Sequence, residues 1–77
     1  MITSIKKITS KIDKKTSKKY YVLYFDYLGE LRFTYLTLNM LKYFRDIGLT
    51  QLMVGTKLNV LLLKDKIHFK IISITND

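Results

Sequence analysis

Apolar and polar positions alternate from the start of the chain, where Ile2, Ile5, Ile8 and Ile12 are separated by Thr, Ser and Lys. Their spacing of three, three and four fits a helix about as well as a bulged strand. Isoleucine and threonine are stiff at χ1 and suit a pleated surface, so a strand is expected. Residues 13–19, Asp-Lys-Lys-Thr-Ser-Lys-Lys, contain no apolar side chain and predict a loop. From Tyr20 to Tyr27 every residue except Asp26 is aromatic, Val or Leu, the clearest strand in the sequence. Leu28-Gly29-Glu30 then reads as a hairpin connection to a further strand over Leu31–Thr37.

The hairpin register decides which side chains share a face. A three-residue connection pairs Tyr27 with Leu31, sets Phe25 against Phe33 and Leu23 against Tyr35, and leaves Asp26 beside Arg32. A two-residue connection puts Arg32 opposite Phe25 and moves Phe33 and Tyr35 onto the face of Tyr20 and Tyr24. The three-residue register is expected, because it keeps charge off the apolar face. In it Tyr21, Leu23, Phe25 and Tyr27 pack inward, while Tyr20 and Tyr24 face outward near Arg32.

After Thr37 the period changes. Leu38, Leu41, Phe44 and Ile47 recur every three residues, which predicts an amphipathic helix capped by Thr37 or Asn39 and ended by Gly48. Leu38, Leu41 and Phe44 are expected in the core and Tyr43 outside. Gly55 marks entry to a strand from about Lys57 to Leu63. Lys64-Asp65-Lys66 predicts a tight turn, and Ile67–Thr75 a closing strand, with Asn76 and Asp77 fraying.

Seventy-seven residues suit one domain, 1–77, with a small core. The absence of cysteine excludes a disulfide scaffold and a thiolate zinc site, and implies a reducing cytoplasmic compartment. No apolar run approaches the ~20 residues that a helix needs to cross a bilayer, and residues 2–12 lack the apolar stretch of a signal peptide. Charge changes the picture most: 14 Lys and Arg against 6 acids give a net charge of +8 and point to a polyanionic partner.

Catalytic chemistry finds no support. The three glycines are too far apart for a phosphate loop, His68 lacks a matching nucleophile, and the acids show no metal-ligand spacing. His68 is expected on a solvent-facing strand position. No enzyme, cofactor, metal or small-molecule substrate is therefore expected.

The order β-β-β-α-β-β resembles a minimal oligonucleotide-binding fold (OB-fold), a small five-stranded antiparallel barrel with one helix between strands three and four. The features carrying the resemblance are the Lys-rich loop, the Tyr-Tyr-Val-Leu-Tyr-Phe strand, and Val54-Gly55-Thr56-Lys57-Leu58-Asn59-Val60 leading into the fourth strand. The resemblance implies a binding face on strands two and three, flanked by the loops between strands one and two and between strands four and five. On this chain those positions are Tyr20, Tyr24 and Arg32 on the face, Lys11, Lys14, Lys15, Lys18 and Lys19 in the first loop, and Lys64 and Lys66 in the second. Lysines would hold the phosphates without reading sequence, and bases would stack on tyrosine. The implied function is sequence-tolerant binding of single-stranded nucleic acid, DNA on the resemblance alone.

A small basic interaction module docking on an acidic protein partner is the alternative. Binding to anionic membrane is weaker, since residues 13–19 offer no apolar anchor. An unprotected barrel edge also invites a homodimer.

Overall fold

The computed structural model describes residues 1–76; Asp77 lies outside the described residues. Five strands and one helix follow in the order β1 (Ile2–Ile12), β2 (Lys19–Tyr27), β3 (Glu30–Thr37), α1 (Leu38–Asp46), β4 (Lys57–Leu62) and β5 (Phe69–Thr75). They form one antiparallel sheet with strand order β3-β2-β1-β4-β5. The sheet curls until its two outermost strands meet, giving a mainly β half-barrel of five antiparallel strands with one helix between β3 and β4, in the expected order. Side chains close the seam between them: Thr34 Oγ1 donates to the Phe69 carbonyl at 2.9 Å, and Arg32 Nη2 to the Lys66 carbonyl at 3.3 Å. Among the described residues no helix is long and apolar enough to cross a membrane.

β1 is the strand shared by both halves. Its start pairs with β4 through Ile2–Asn59 and Ser4–Lys57, and the rest pairs with β2 from Ile5–Phe25 to Ile12–Lys19. A register shift between Ile5 and Lys7 marks a bulge. The extra residue explains the isoleucine spacing: Ile5 and Ile8 lie three apart yet both reach the core, because a bulge rotates the strand and bends it. Ile2 and Ile12, at the two ends, are exposed.

The core gathers Ile5, Leu23, Phe25 and Leu36 from one half and Leu58, Val60, Phe69, Ile71 and Ile74 from the other. Tyr21 and Tyr27 pack against it, as the inward face of β2 requires. Phe25 meets Phe69 edge-to-face at 5.1 Å between ring centroids. α1 covers one end of the half-barrel with Leu41 and Phe44. Thr37 caps the helix by accepting from the Met40 backbone N–H at 3.2 Å. Leu38, expected in the core, is instead 45% exposed, and Ile47, the C-cap residue, is 62% exposed. The helix spans only nine residues, so its middle reaches the barrel while both ends overhang. Leu49 supplies the missing apolar contact, held by its N–H donating to the Phe44 carbonyl at 2.8 Å.

The hairpin register is the two-residue one, contrary to expectation. Tyr27 pairs with Glu30, Phe25 with Arg32, and Tyr24 with Phe33. Leu28 and Gly29 both adopt positive φ, 50° and 83°, as a twist-matched two-residue turn needs. Asn76 does not fray. Its side chain accepts from the Thr50 and Gln51 backbone N–H groups at 3.1 and 3.0 Å and donates to the Gln51 carbonyl, tying the end of β5 to residues 50–51.

Candidate nucleic-acid interface

The register defines a grid on the outer surface of β1, β2 and β3. Lys7, Tyr24 and Phe33 form one row across the three strands; Thr9, Val22 and Tyr35 the next; Lys11, Tyr20 and Thr37 the third. Alternation along each strand places all nine side chains on the face opposite the core. One column is therefore basic, and the two beside it are largely aromatic.

The rings form a continuous chain. Tyr20 lies 5.7 Å from Tyr35, Tyr35 lies 5.7 Å from Phe33, and Phe33 lies 6.0 Å from Tyr24. Lys7 Nζ sits 5.6 Å from the centre of the Tyr24 ring, within cation–π range. Phe33 and Tyr35 remain 48% and 47% exposed, whereas Val22 beneath this layer is buried. Part of the aromatic surface thus covers Val22, and the remainder faces solvent. Thr9 Oγ1, in the same layer, is buried without a hydrogen-bond partner among the described residues.

The β1–β2 connection brings its lysines to one end of this stripe. Asp13 organises it: Oδ1 accepts from the Lys15 and Thr16 backbone N–H groups at 2.8 and 3.3 Å, and Ser17 N–H donates to the Asp13 carbonyl at 2.8 Å. Lys14, Lys15 and Lys18 are exposed there. Lys11 and Lys19, expected in the same loop, belong instead to the end of β1 and the start of β2, because the strand pairing runs on to Ile12–Lys19; both are exposed as well. Lys19 Nζ lies 5.2 Å from the Tyr21 ring, on the other side of β2 from Tyr20. Between this connection, the end of β3 and the start of α1 is a groove of about 440 Å³, with Tyr20 and Tyr35 in its wall.

Lys64 and Lys66 are exposed in the β4–β5 connection, which lies against the start of β3 through the Arg32–Lys66 contact. His68 belongs to this connection rather than to the closing strand, which begins one residue later. It faces solvent, with Nδ1 2.6 Å from Asp65 Oδ2. Asp65 also accepts from the Ile67 and His68 N–H groups at 2.9 and 3.0 Å. The His68 ring contact, followed by those backbone donors, holds the Asp65 carboxyl well below the usual carboxylate range.

Arg32 does not join Tyr20 and Tyr24. It stands opposite Phe25, on the core side of β3, with its guanidinium 4.9 Å from the Phe69 ring centre and 3.8 Å from Glu30. A cation is tolerated there because the planar guanidinium stacks on the ring while its stem lies along the seam. In its place the outer face holds Phe33, Tyr35 and Lys7. Phe33 and Tyr35 were accessible from the sequence through the two-residue turn, for which Gly29 at the second position is the signal. Lys7 had no such signal, since its facing depends on the bulge before it. Among the described residues no group of three or more His, Cys, Asp or Glu side chains is placed to hold a metal ion.

No protein-family model, curated protein or solved structure matches this chain.

Proposed function

We propose that the protein binds single-stranded nucleic acid, without strong sequence preference, on the outer face of β1–β3. The observation that carries this reading is the unbroken run of Tyr20, Tyr35, Phe33 and Tyr24 beside Lys7 and Lys11. Bases stack on exposed rings regardless of identity, and lysines neutralise the phosphates that run alongside. The net charge of +8 and the lysines of the β1–β2 connection extend the attraction beyond the stripe. The likeness to an OB-fold supports the same face, and favours DNA.

Fluorescence anisotropy of a labelled dT20 strand tests it. Affinity is expected to fall with salt along a log–log slope of about −2 to −4, since each neutralised phosphate contributes roughly −0.7. Tyr24→Ala is expected to weaken binding about five- to hundredfold, the loss of one stacked base. Absence of binding at low salt overturns the proposal. Exposed Leu28 and Leu31 at the hairpin tip, which offer bases no flat surface, favour the second reading, an acidic protein partner. That reading then takes precedence.

A further inference from the structure

The groove at the end of the aromatic stripe has a wall that phosphate attraction does not explain. Tyr20 and Tyr35 meet at an interplanar angle of 75°, so they form a corner rather than a flat platform. The same groove of about 440 Å³ is lined by Asp13, Thr16, Lys18 and Lys19 and by Leu38 and Asn39 at the start of α1, so an anionic side chain stands among its cations. This volume falls in the lower range of small-ligand sites and suits one nucleotide rather than a longer segment.

The polar wall holds an unused acceptor. Asp13 Oδ1 is fixed by the Lys15 and Thr16 N–H groups, which orients the carboxylate, while Oδ2 has no hydrogen-bond partner among the described residues. The Asn39 side-chain amide is likewise without one. An anionic oxygen among lysines repels phosphate, so it contributes nothing to backbone attraction. It accepts from N–H and O–H donors, and within a DNA strand, whose sugars carry no free hydroxyl, the donors lie on the base. Adenine, cytosine and guanine present an exocyclic amine. Thymine and uracil present one imide N–H between two carbonyl oxygens, which a carboxylate disfavours.

Resting on the nucleic-acid reading above, we propose that this groove is a base-selective subsite. It takes one amino-bearing base, stacked in the Tyr20–Tyr35 corner, with its amine donating to Asp13 and Asn39 completing the contact. The protein then reads one position in a strand it otherwise holds without regard to sequence.

The test compares labelled dT20 with three strands carrying a single central dA, dC or dG, titrated with wild type, Asp13→Asn and Asn39→Ala. Wild type is expected to bind at least one substituted strand about fivefold or more tightly than dT20. Asp13→Asn, whose amide oxygen can still accept from the Lys15 and Thr16 N–H groups, should reduce the ratio of substituted-strand to dT20 affinity about fivefold, whatever change it makes to dT20 binding itself. Asn39→Ala, at an exposed position in the first turn of α1, should reduce the preference while leaving the melting temperature unchanged or higher, since alanine is the better helix former. Equal binding of all four strands overturns the subsite and leaves the broader reading standing. Failure to bind any strand overturns both. A preference that survives Asp13→Asn and Asn39→Ala overturns the assignment of the subsite to this groove.

Discussion

Tyr24 and Phe25 are neighbours on β2 with opposite surroundings. Phe25 is 0% exposed, enclosed by Ile5, Leu23 and the edge-on ring of Phe69. Tyr24 faces outward, touching Phe33 on one side and Lys7 on the other. The same contrast runs along the whole hairpin: the inner rings are shielded by a second half-sheet, while the outer rings have only each other, Val22 and lysine stems. Aromatic content alone does not distinguish a barrel filler from a binding platform. What distinguishes them is whether another layer covers the face and which charges rim it.

Removing rings from the two faces separates them most strongly. Phe25→Ala is expected to destabilise the protein by about 3–5 kcal/mol, a large share of the stability of so small a domain, read by chemical denaturation. Phe33→Ala should cost at most about 1.5 kcal/mol in the same experiment, the value of an aromatic pair at a half-exposed site. Its larger effect is expected on oligonucleotide affinity. If both substitutions destabilise equally, the outer face is a second core and not a platform.

A smaller effect sharpens the boundary between the layers. Thr9 Oγ1 is buried without a partner in the outer grid, so Thr9→Val should stabilise by about 1 kcal/mol by removing an unsatisfied hydroxyl. A loss of stability on that substitution would mean that the hydroxyl is bonded in solution.

The connection beside the seam gives the smallest expected change. The Asp65 carboxyl is depressed by its His68 and backbone contacts, so its contribution is present above the unfolded carboxylate pKa of about 3.9 and is lost as pH falls below it. At this exposed site the effect is slight. It should appear as a shallower acid limb of the melting-temperature profile in Asp65→Asn, and an unchanged limb would show that the contacts carry no stability.

Much of the architecture was legible in the chain because local signals agreed. The Thr37 cap, the lysine loop and the β-branched first strand each pointed to the element that forms. The bulge was latent in the isoleucine spacing, where a step of three on a strand demands an extra residue. The hairpin register had a turn signal in Gly29, but keeping the Arg32 charge away from Phe25 argues against it in the sequence. The Phe69 ring that accommodates Arg32 comes from a strand more than thirty residues away, a contact that hairpin sequence does not contain. The candidate site changed accordingly: Tyr20 and Tyr24 stand on the outer face, Arg32 leaves it, and Phe33, Tyr35 and Lys7 complete it. The exposure of Leu38 and Ile47 was equally hidden, since periodicity gives a face but not how much of that face a short helix buries.

The most direct test maps the contact surface itself, by recording amide and aromatic NMR shifts of the labelled protein as dT20 is added. Binding on the outer face predicts that perturbations concentrate on Lys7, Lys11, Tyr20, Tyr24, Phe33 and Tyr35, with the core rings Phe25 and Phe69 little changed. Perturbations centred instead on the β4–β5 outer face, or spread evenly over all exposed lysines, would contradict it.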